Sequence, residues 1–254
     1  GHYDRFRNRA VFPILNESGK VVAFGARSLD GSEPKYLNSP ETPVYSKSRV
    51  LYGLSWARDA AARDKRVVLM EGYLDVARAI EHGLDEAVAT CGTALTSQHA
   101  RLVGRWAETV VLNFDQDEAG QKAARKSLEV LLDEGLRVRI VELPEGHDPD
   151  TYLKAEGAEA YRKRLDAAPE AVERVMRRSE TAGDLSPPAG KAAFFAAVLP
   201  ALVRTANAVE RQAWLARVVE RGGLDAGGAR EELRRALQGR TGATSAVAEP
   251  ATRR

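Results

Sequence analysis

Three acidic clusters set the chemistry open to this chain. Glu71 and Asp75 follow the apolar run 67–70, Asp115 and Asp117 follow the run 110–114, and Asp148 and Asp150 follow the run 138–143. Carboxylates crowded at one place repel one another and stay ionised only if cations neutralise them. Hard oxygen donors of this kind select Mg²⁺ or Mn²⁺, and two such ions can clamp an in-line phosphoryl transfer. A single Asp-x-Asp is commonly only a helix cap or a turn, and Gly120 with a helix from Ala119 leaves that reading open for Asp115 and Asp117. Three acid-terminated strands in one sheet are harder to explain as three independent caps.

The acids converge only if the strands that carry them are parallel. From 67 to 143 the sequence alternates apolar strand and amphipathic helix: strands at 67–70, 87–89 with Thr90 trailing, 110–114 and 138–143, and helices at 73–81, 97–105 and 119–133. Gly83 and Gly135 follow two of the helices, and Thr96 or Ser97 caps a third. This alternation predicts an α/β fold in which a parallel sheet is covered by helices. In such sheets ligands bind outside the carboxyl ends of the strands, where Glu71 stands.

The flanks differ in character. Residues 1–66 predict two β-prone runs, 9–15 and 21–27, joined by a hairpin turn over 16–20. They continue with a loop over 33–43, which holds three prolines, and an alanine-rich helical stretch over 51–62. After Asp150 the strand signal stops. Helix is predicted over 151–178 with a break at Pro169, then a linker at 183–188, then helices near 190–203, 207–221 and 228–238. The expected division is a basic strand and loop segment at 1–66, a sheet domain at 67–155, a helical subdomain at 156–240 and a disordered tail at 241–254.

Charge follows the same division. Residues 1–66 hold 12 Lys/Arg against 7 Asp/Glu, residues 67–150 hold 8 against 16, and residues 151–254 hold 18 against 13, giving +5, −8 and +5. An acidic centre between basic flanks suits a divalent cation site beside a polyanion. No apolar run approaches the roughly 18 residues that span a bilayer, and the start of the chain lacks a signal pattern, so a cytoplasmic protein with no membrane partner is expected. The leading Gly-His has the look of a tag scar. Cys91 is the single cysteine, which excludes an internal disulfide and any multi-cysteine zinc site within the chain.

Other candidates are weaker. Cys91 follows a strand, but the nearby histidines, His82 and His99, lie on helices, and a small buried residue is the simpler reading. No Gly-x-Gly-x-x-Gly or Walker lysine pattern occurs, which argues against Rossmann or P-loop nucleotide binding. Arg5, Arg7, Arg27, Lys35, Asn38 and Lys47 could be a solvated surface; beside a cation site they could instead hold phosphates, with Tyr36 stacking a base.

These residues resemble a known family. The segments Asp4-Arg5-Phe6-Arg7-Asn8-Arg9, Pro34-Lys35-Tyr36-Leu37-Asn38-Ser39-Pro40-Glu41-Thr42, Leu51-Tyr52-Gly53-Leu54, Glu71-Gly72-Tyr73-Leu74-Asp75, Gly92-Thr93-Ala94-Leu95-Thr96, Phe114-Asp115-Gln116-Asp117-Glu118-Ala119-Gly120 and Gly146-His147-Asp148-Pro149-Asp150 are similar to the catalytic core of bacterial DnaG-type primases. The match runs closely from 4 to about 155. The glutamate and the Asp-x-Asp pair alone would indicate only a Toprim-like sheet; the Lys-Tyr-Leu-Asn-Ser-Pro-Glu loop singles out primase.

The resemblance implies DNA-directed synthesis of RNA primers, with a ribonucleotide 3′-hydroxyl attacking the α-phosphate of an incoming triphosphate and pyrophosphate leaving. It implies Mg²⁺ or Mn²⁺ held by Glu71, Asp75, Asp115, Asp117, Asp148 and Asp150, with Glu71, Asp115 and Asp117 catalytic. Arg5, Arg7, Arg27, Lys35, Tyr36, Asn38 and Lys47 would then receive nucleotide and single-stranded DNA template. The family's zinc-binding module, the first part of its polymerase core and its helicase-binding domain are not among these residues. The chain is therefore expected to be an excerpt that primes poorly alone and meets the replicative helicase through a domain outside it. Gln116 stands where the family usually has glycine, and His147 replaces a more usual acid. A Toprim nuclease and a non-enzymatic nucleic-acid-binding scaffold are the competing functions.

Overall fold

A computed structural model describes residues 3–115, 117–144 and 146–246, the side chains of Asp150 and of 241–246 excepted. The chain divides into two compact units, Gly1–Pro169 and Glu170–Arg254.

The first unit opens with β1 (Arg9–Leu15) and β2 (Val21–Ser28), an antiparallel pair. The hairpin expected over 16–20 is present: Asn16 Oδ1 accepts from the backbone N–H groups of Ser18 and Lys20 at 3.1 and 3.0 Å. Pro13 can donate nothing to a ladder, and β1 is an edge strand, which is where a sheet tolerates it. A third strand, β3 (Tyr36–Asn38), pairs antiparallel with β2 and sets Tyr36 opposite Arg27 and Asn38 opposite Gly25. Loop was expected throughout 33–43. Between Pro34 and Pro40, however, the chain keeps its N–H groups, and a three-residue edge strand fits into that gap.

Residues 51–62 are not one helix. Leu51–Tyr52 form β4, and α1 begins only at Leu54 and runs to Asp64. Gly53 divides them at φ 87°, in a position where a Cβ would lie 2.8 Å from the Ala87 carbonyl oxygen, so the left-handed break needs glycine.

The sheet domain then follows as predicted in type: β5 (Arg66–Met70), α2 (Tyr73–Glu81), β6 (Ala87–Thr90), α3 (Ser97–Val103), β7 (Thr109–Asn113), α4 (Glu118–Asp133), β8 (Arg137–Ile140) and α5 (Pro149–Asp166). The strand order is β4-β6-β5-β7-β8, with β4 antiparallel and all other neighbours parallel. Residues 67–70 of β5 and 110–113 of β7 are buried, which is why these strands read as unbroken apolar runs rather than alternating ones. The ladder of β8 stops at Ile140, before the end of the apolar run, and Val141 and Leu143 serve the core instead.

Tyr73, the first residue of α2, ties the leading sheet to this domain. Its ring stacks on Phe12 with centroids 5.5 Å apart and meets Tyr52 edge-on at 4.8 Å. Its hydroxyl donates to Asn38 Oδ1 at 2.9 Å, and a Cβ on Gly25 would fall 2.5 Å from the ring. The segment that carries Lys35 and Tyr36 is thus fastened two residues beyond Glu71.

The second unit is helical: α6 (Ala171–Ala182), α7 (Pro188–Arg204), α8 (Ala208–Gly222) and α9 (Ala226–Ala246). Phe194, Val198, Leu202, Leu215 and Val218 are buried in it. Backbone helix continues to Ala246, into the segment expected as a disordered tail, and 247–254 lie outside the described residues. Among the described residues no helix is long and apolar enough to cross a membrane.

Glu173 of α6 is 7% exposed and meets Arg177 at 2.8 Å, Arg217 at 2.8 Å and Arg221 at 2.7 Å. Burial alone would raise its pKa, but hydrogen bonds from Arg221 and Arg177 outweigh burial and hold it below the ordinary value. A depressed carboxylate contributes stability above its unfolded pKa and loses it as pH falls through the folded one. We predict that Glu173→Gln destabilises the chain by about 1–3 kcal/mol at neutral pH and by less in acid, read from thermal unfolding. Equal unfolding midpoints at neutral pH would show that the network contributes nothing.

Candidate active site

The parallel order brings two of the three acid clusters side by side. Met70 of β5 is in register with Asn113 of β7, so Glu71 and Asp115 leave the carboxyl edge together. Glu71 Oε1 accepts the backbone N–H of Asp115 at 3.2 Å. Asp117 caps α4, its Oδ1 accepting the Gly120 N–H at 2.7 Å. At Gly120 a Cβ would stand 2.3 Å from the Asp115 carbonyl oxygen and 2.6 Å from Glu71 Oε1, so the glycine lets the start of α4 close onto both acids. Asp117 is thus a helix cap, and its charge is also felt at Glu71.

Electrostatics mark this corner. The Glu71 carboxyl reaches solvent, yet its pKa is pushed up to about 7. Partial burial is the first cause; the charge of Asp115 follows, with Asp117 and Asp75 adding, against the hydrogen bond from the Asp115 backbone. Asp115 is raised as well, by burial and then by Asp148 and Asp117, while Lys35 opposes the shift.

A carboxyl whose folded pKa lies above its unfolded value contributes stability that is complete below the ordinary value of 4.5 and lost as pH rises through about 7. In a metal chelator, the thermal midpoint of the chain is therefore expected to fall relative to Glu71→Gln between about pH 5 and pH 8, leaving the variant more stable at the alkaline end. Parallel curves across that range would rule out the repulsion.

Asp75 Oδ2 accepts the Gly72 N–H at 2.9 Å, and Asp148 Oδ1 accepts the Thr151 N–H at 2.7 Å as the cap of α5. The Asp150 side chain and Gln116 lie outside the described residues. Among the described residues no group of three or more His, Cys, Asp or Glu side chains is placed to hold a metal ion. Asp75, Asp117 and Asp148 are each engaged by a helix N-terminal amide, which directs one oxygen of each to the backbone. The donors still fit Mg²⁺, which keeps several waters and takes only one or two carboxylates beside substrate phosphates. Two neighbouring carboxyls raised by burial and then by nearby acids, Glu71 by Asp115 and Asp115 by Asp148 and Asp117, are what a divalent cation relieves.

The basic residues spread around this corner to different degrees. The charge of Lys35 is felt at Asp115, and that of Arg27 at Tyr36. Lys35, Tyr36, Arg5 and Arg7 are exposed, and Arg5 Nη2 donates to the Asn38 carbonyl at 3.3 Å. Asn38 is engaged at both ends of its amide: Nδ2 donates to the Cys91 carbonyl at 3.2 Å, while Oδ1 accepts from Tyr73. Lys47 is half-buried, and its carbonyl lies 2.7 Å from Nε2 of the buried His99. Cys91 is fully buried, and burial pushes its thiol up to about 11, which disposes of a nucleophilic role. Sequence reasoning took Gly120 only as a sign of a helix cap and gave Tyr73 no role; the close approach at the first and the packing of the second depend on residues distant in the chain.

Comparison with known proteins agrees with this geometry. The family described as DNA primase catalytic core, N-terminal domain, matches residues 1–58, and the Toprim-like family matches residues 68–153. A solved DNA primase domain from Pseudomonas aeruginosa superposes with a TM-score of 0.81 at 38% identity, over 91% of this chain and 74% of that one. The chain belongs to the DnaG-type primase catalytic-core family. A DnaG primase catalytic domain solved bound to ssDNA is similar at a TM-score of 0.79 and 36% identity, over 89% of this chain and 73% of that one. The DNA primase of Halalkalibacterium halodurans is 40% identical over 221 residues, 86% of this chain but 37% of that protein. This DnaG-type core thus spans little more than a third of that relative, and its Toprim-like sheet implies use of a divalent metal in general.

Proposed function

We propose that this core carries out DNA-directed synthesis of RNA primers by metal-dependent nucleotidyl transfer. The observation that carries the reading is the pair of raised carboxyls, Glu71 and Asp115, at adjoining parallel strand ends, with Lys35 within electrostatic reach. Glu71, Asp115 and Asp117 are the catalytic ligands, and Asp75, Asp148 and Asp150 complete the metal-holding set. Mg²⁺ or Mn²⁺, when bound, supplies the positive charge that the reacting phosphate needs.

The chain's own residues bind and orient. Arg5, Arg7, Arg27, Lys35 and Lys47 receive triphosphate and template phosphates, Tyr36 offers a ring to a base, and Asn38 holds Tyr36's strand against Tyr73 and Cys91. The 3′-hydroxyl oxygen forms its bond to the α-phosphorus as the bond to pyrophosphate breaks, and no side-chain nucleophile is needed. The proposed division of labour gives residues 1–66 the delivery of substrates, 67–155 the metal chemistry and 156–240 a helical accessory part. Single-stranded DNA is the template, a partner supported by the ssDNA-bound relative. Ribonucleoside triphosphates are the substrates. The replicative helicase is reached through a domain outside this chain, and the site of action is the cytoplasmic replication fork.

A primase containing this core is expected to incorporate labelled ribonucleotide only with template and metal together. Cleavage of the nucleic acid in the absence of triphosphates would contradict the proposal and favour a nuclease.

A further inference from the structure

A cavity of about 430 Å³ lies between the carboxyl ends of β5 and β6, the loop after β6 and the first turns of α4. Its volume is that of a small-ligand site, which typically spans about 300–1,000 Å³. Met70, Leu95, Phe114 and Ala123 give it apolar walls, Glu71 stands at one end, and Lys126 is the one cationic side chain among the described lining residues. Glu71 borders Gly120 at the start of α4, and Lys126 lies six residues further along, about 9 Å down the helix axis.

The basic residues assigned to nucleotide and template, from Arg5 to Lys47, all belong to 1–66, and none lines this cavity. Primer synthesis joins two nucleotides, however. One brings the α-phosphate and has those residues to receive it; the other brings the 3′-hydroxyl and so far has no place. An apolar slot that ends on the catalytic carboxylate on one side and on a lysine on the other has the order of groups such a nucleotide requires: base along the walls, sugar toward Glu71, 5′-phosphate at Lys126.

We infer that this cavity holds the nucleotide that supplies the 3′-hydroxyl, with Lys126 as a positioning residue for its 5′-phosphate. The inference rests on the function proposed above. In the reaction the hydroxyl oxygen bonds to the α-phosphorus, its proton passes to solvent and pyrophosphate leaves.

Guanosine 5′-monophosphate is a suitable probe, because it has the base, the 3′-hydroxyl and one phosphate but nothing to transfer. Added to this chain in a metal chelator, it is expected to shift the backbone amide resonances of Gly92, Thr93 and Gly120. Lys126→Glu should weaken that binding about tenfold and Ala123→Trp should abolish it, whereas Lys122→Glu, outside the cavity, should leave it unchanged. In a longer primase containing this core, Lys126→Glu should raise the KM for guanosine monophosphate as initiator by a similar factor with little change in kcat.

Absence of these shifts at millimolar guanosine monophosphate, or equal binding by Lys126→Glu, would overturn the inference while leaving primer synthesis untouched. Binding in the cavity without any primer synthesis by the longer protein would refute the functional reading, and with it the initiating role, while leaving a nucleotide site. The spectrum of each variant outside the cavity reports whether it has folded.

Discussion

Replacing Asp115 and Asp117 together by alanine is expected to remove Mg²⁺- or Mn²⁺-dependent ribonucleotide incorporation from a primase containing this core, by at least about a thousandfold. Loss of a single preorganised electrostatic stabiliser already costs about 10²–10³ in rate, and here two ligands go at once. The fold should survive. Asp117→Ala removes the cap that accepts the Gly120 N–H, worth about 1 kcal/mol, but deletion of two charges also relieves the repulsion felt at Glu71. Circular dichroism and thermal unfolding should therefore remain close to the parent protein while incorporation disappears. Undiminished synthesis would mean that the strand-end acids are caps and nothing more.

A change with a similar expected effect adds one methyl group and no charge. Gly120→Ala places a Cβ 2.3 Å from the Asp115 carbonyl oxygen and 2.6 Å from Glu71 Oε1, closer than atoms tolerate. The first contact is with backbone and cannot be relieved by a side-chain rotation, so the start of α4 must move away from the strand end. Overpacking of this kind costs about 1–3 kcal/mol of stability. A displacement of reacting groups by about 1 Å can cost about a hundredfold in rate, and both Asp115 and Asp117 ride on the segment that moves. We expect Gly120→Ala to lose roughly two orders of magnitude in incorporation rate at a temperature where it is still folded. Wild-type rates from the folded variant would show that close approach of α4 to the two acids is dispensable.

How much of this was legible in the sequence depends on whether a local pattern decided it. The runs 67–70 and 110–114 were readable because a strand buried on both faces needs continuous apolar residues, and Glu71 and Asp115 were conspicuous because they end such runs. The short strands β3 and β4 were not, since two or three residues carry no period; their existence depends on the partners β2 and β6 supply. Gly53 illustrates the limit. Its backbone is left-handed, and the nearby Ala87 carbonyl leaves no room for a Cβ there, while the residues after it do read as a helix. Asn38 shows the same for a site. A polar side chain in a basic loop suggests a ligand contact, but both ends of its amide are committed to Cys91 and Tyr73, contacts between residues far apart in the chain.

The acids raise a different point. A sequence can show that carboxylates fall at three strand ends, but whether they meet as ligands depends on how their charge is compensated. Asp75, Asp117 and Asp148 each accept a helix N-terminal amide, and Glu71 and Asp115, at adjoining strand ends, have raised carboxyls.

The central claim is that a divalent cation binds at Glu71 and Asp115, and titration of Mn²⁺ into this chain by calorimetry at neutral pH tests it most directly. Saturable binding that is lost in the Asp115→Ala, Asp117→Ala double variant is the expected result. No heat of binding at millimolar Mn²⁺, or the same isotherm from the double variant, would contradict it.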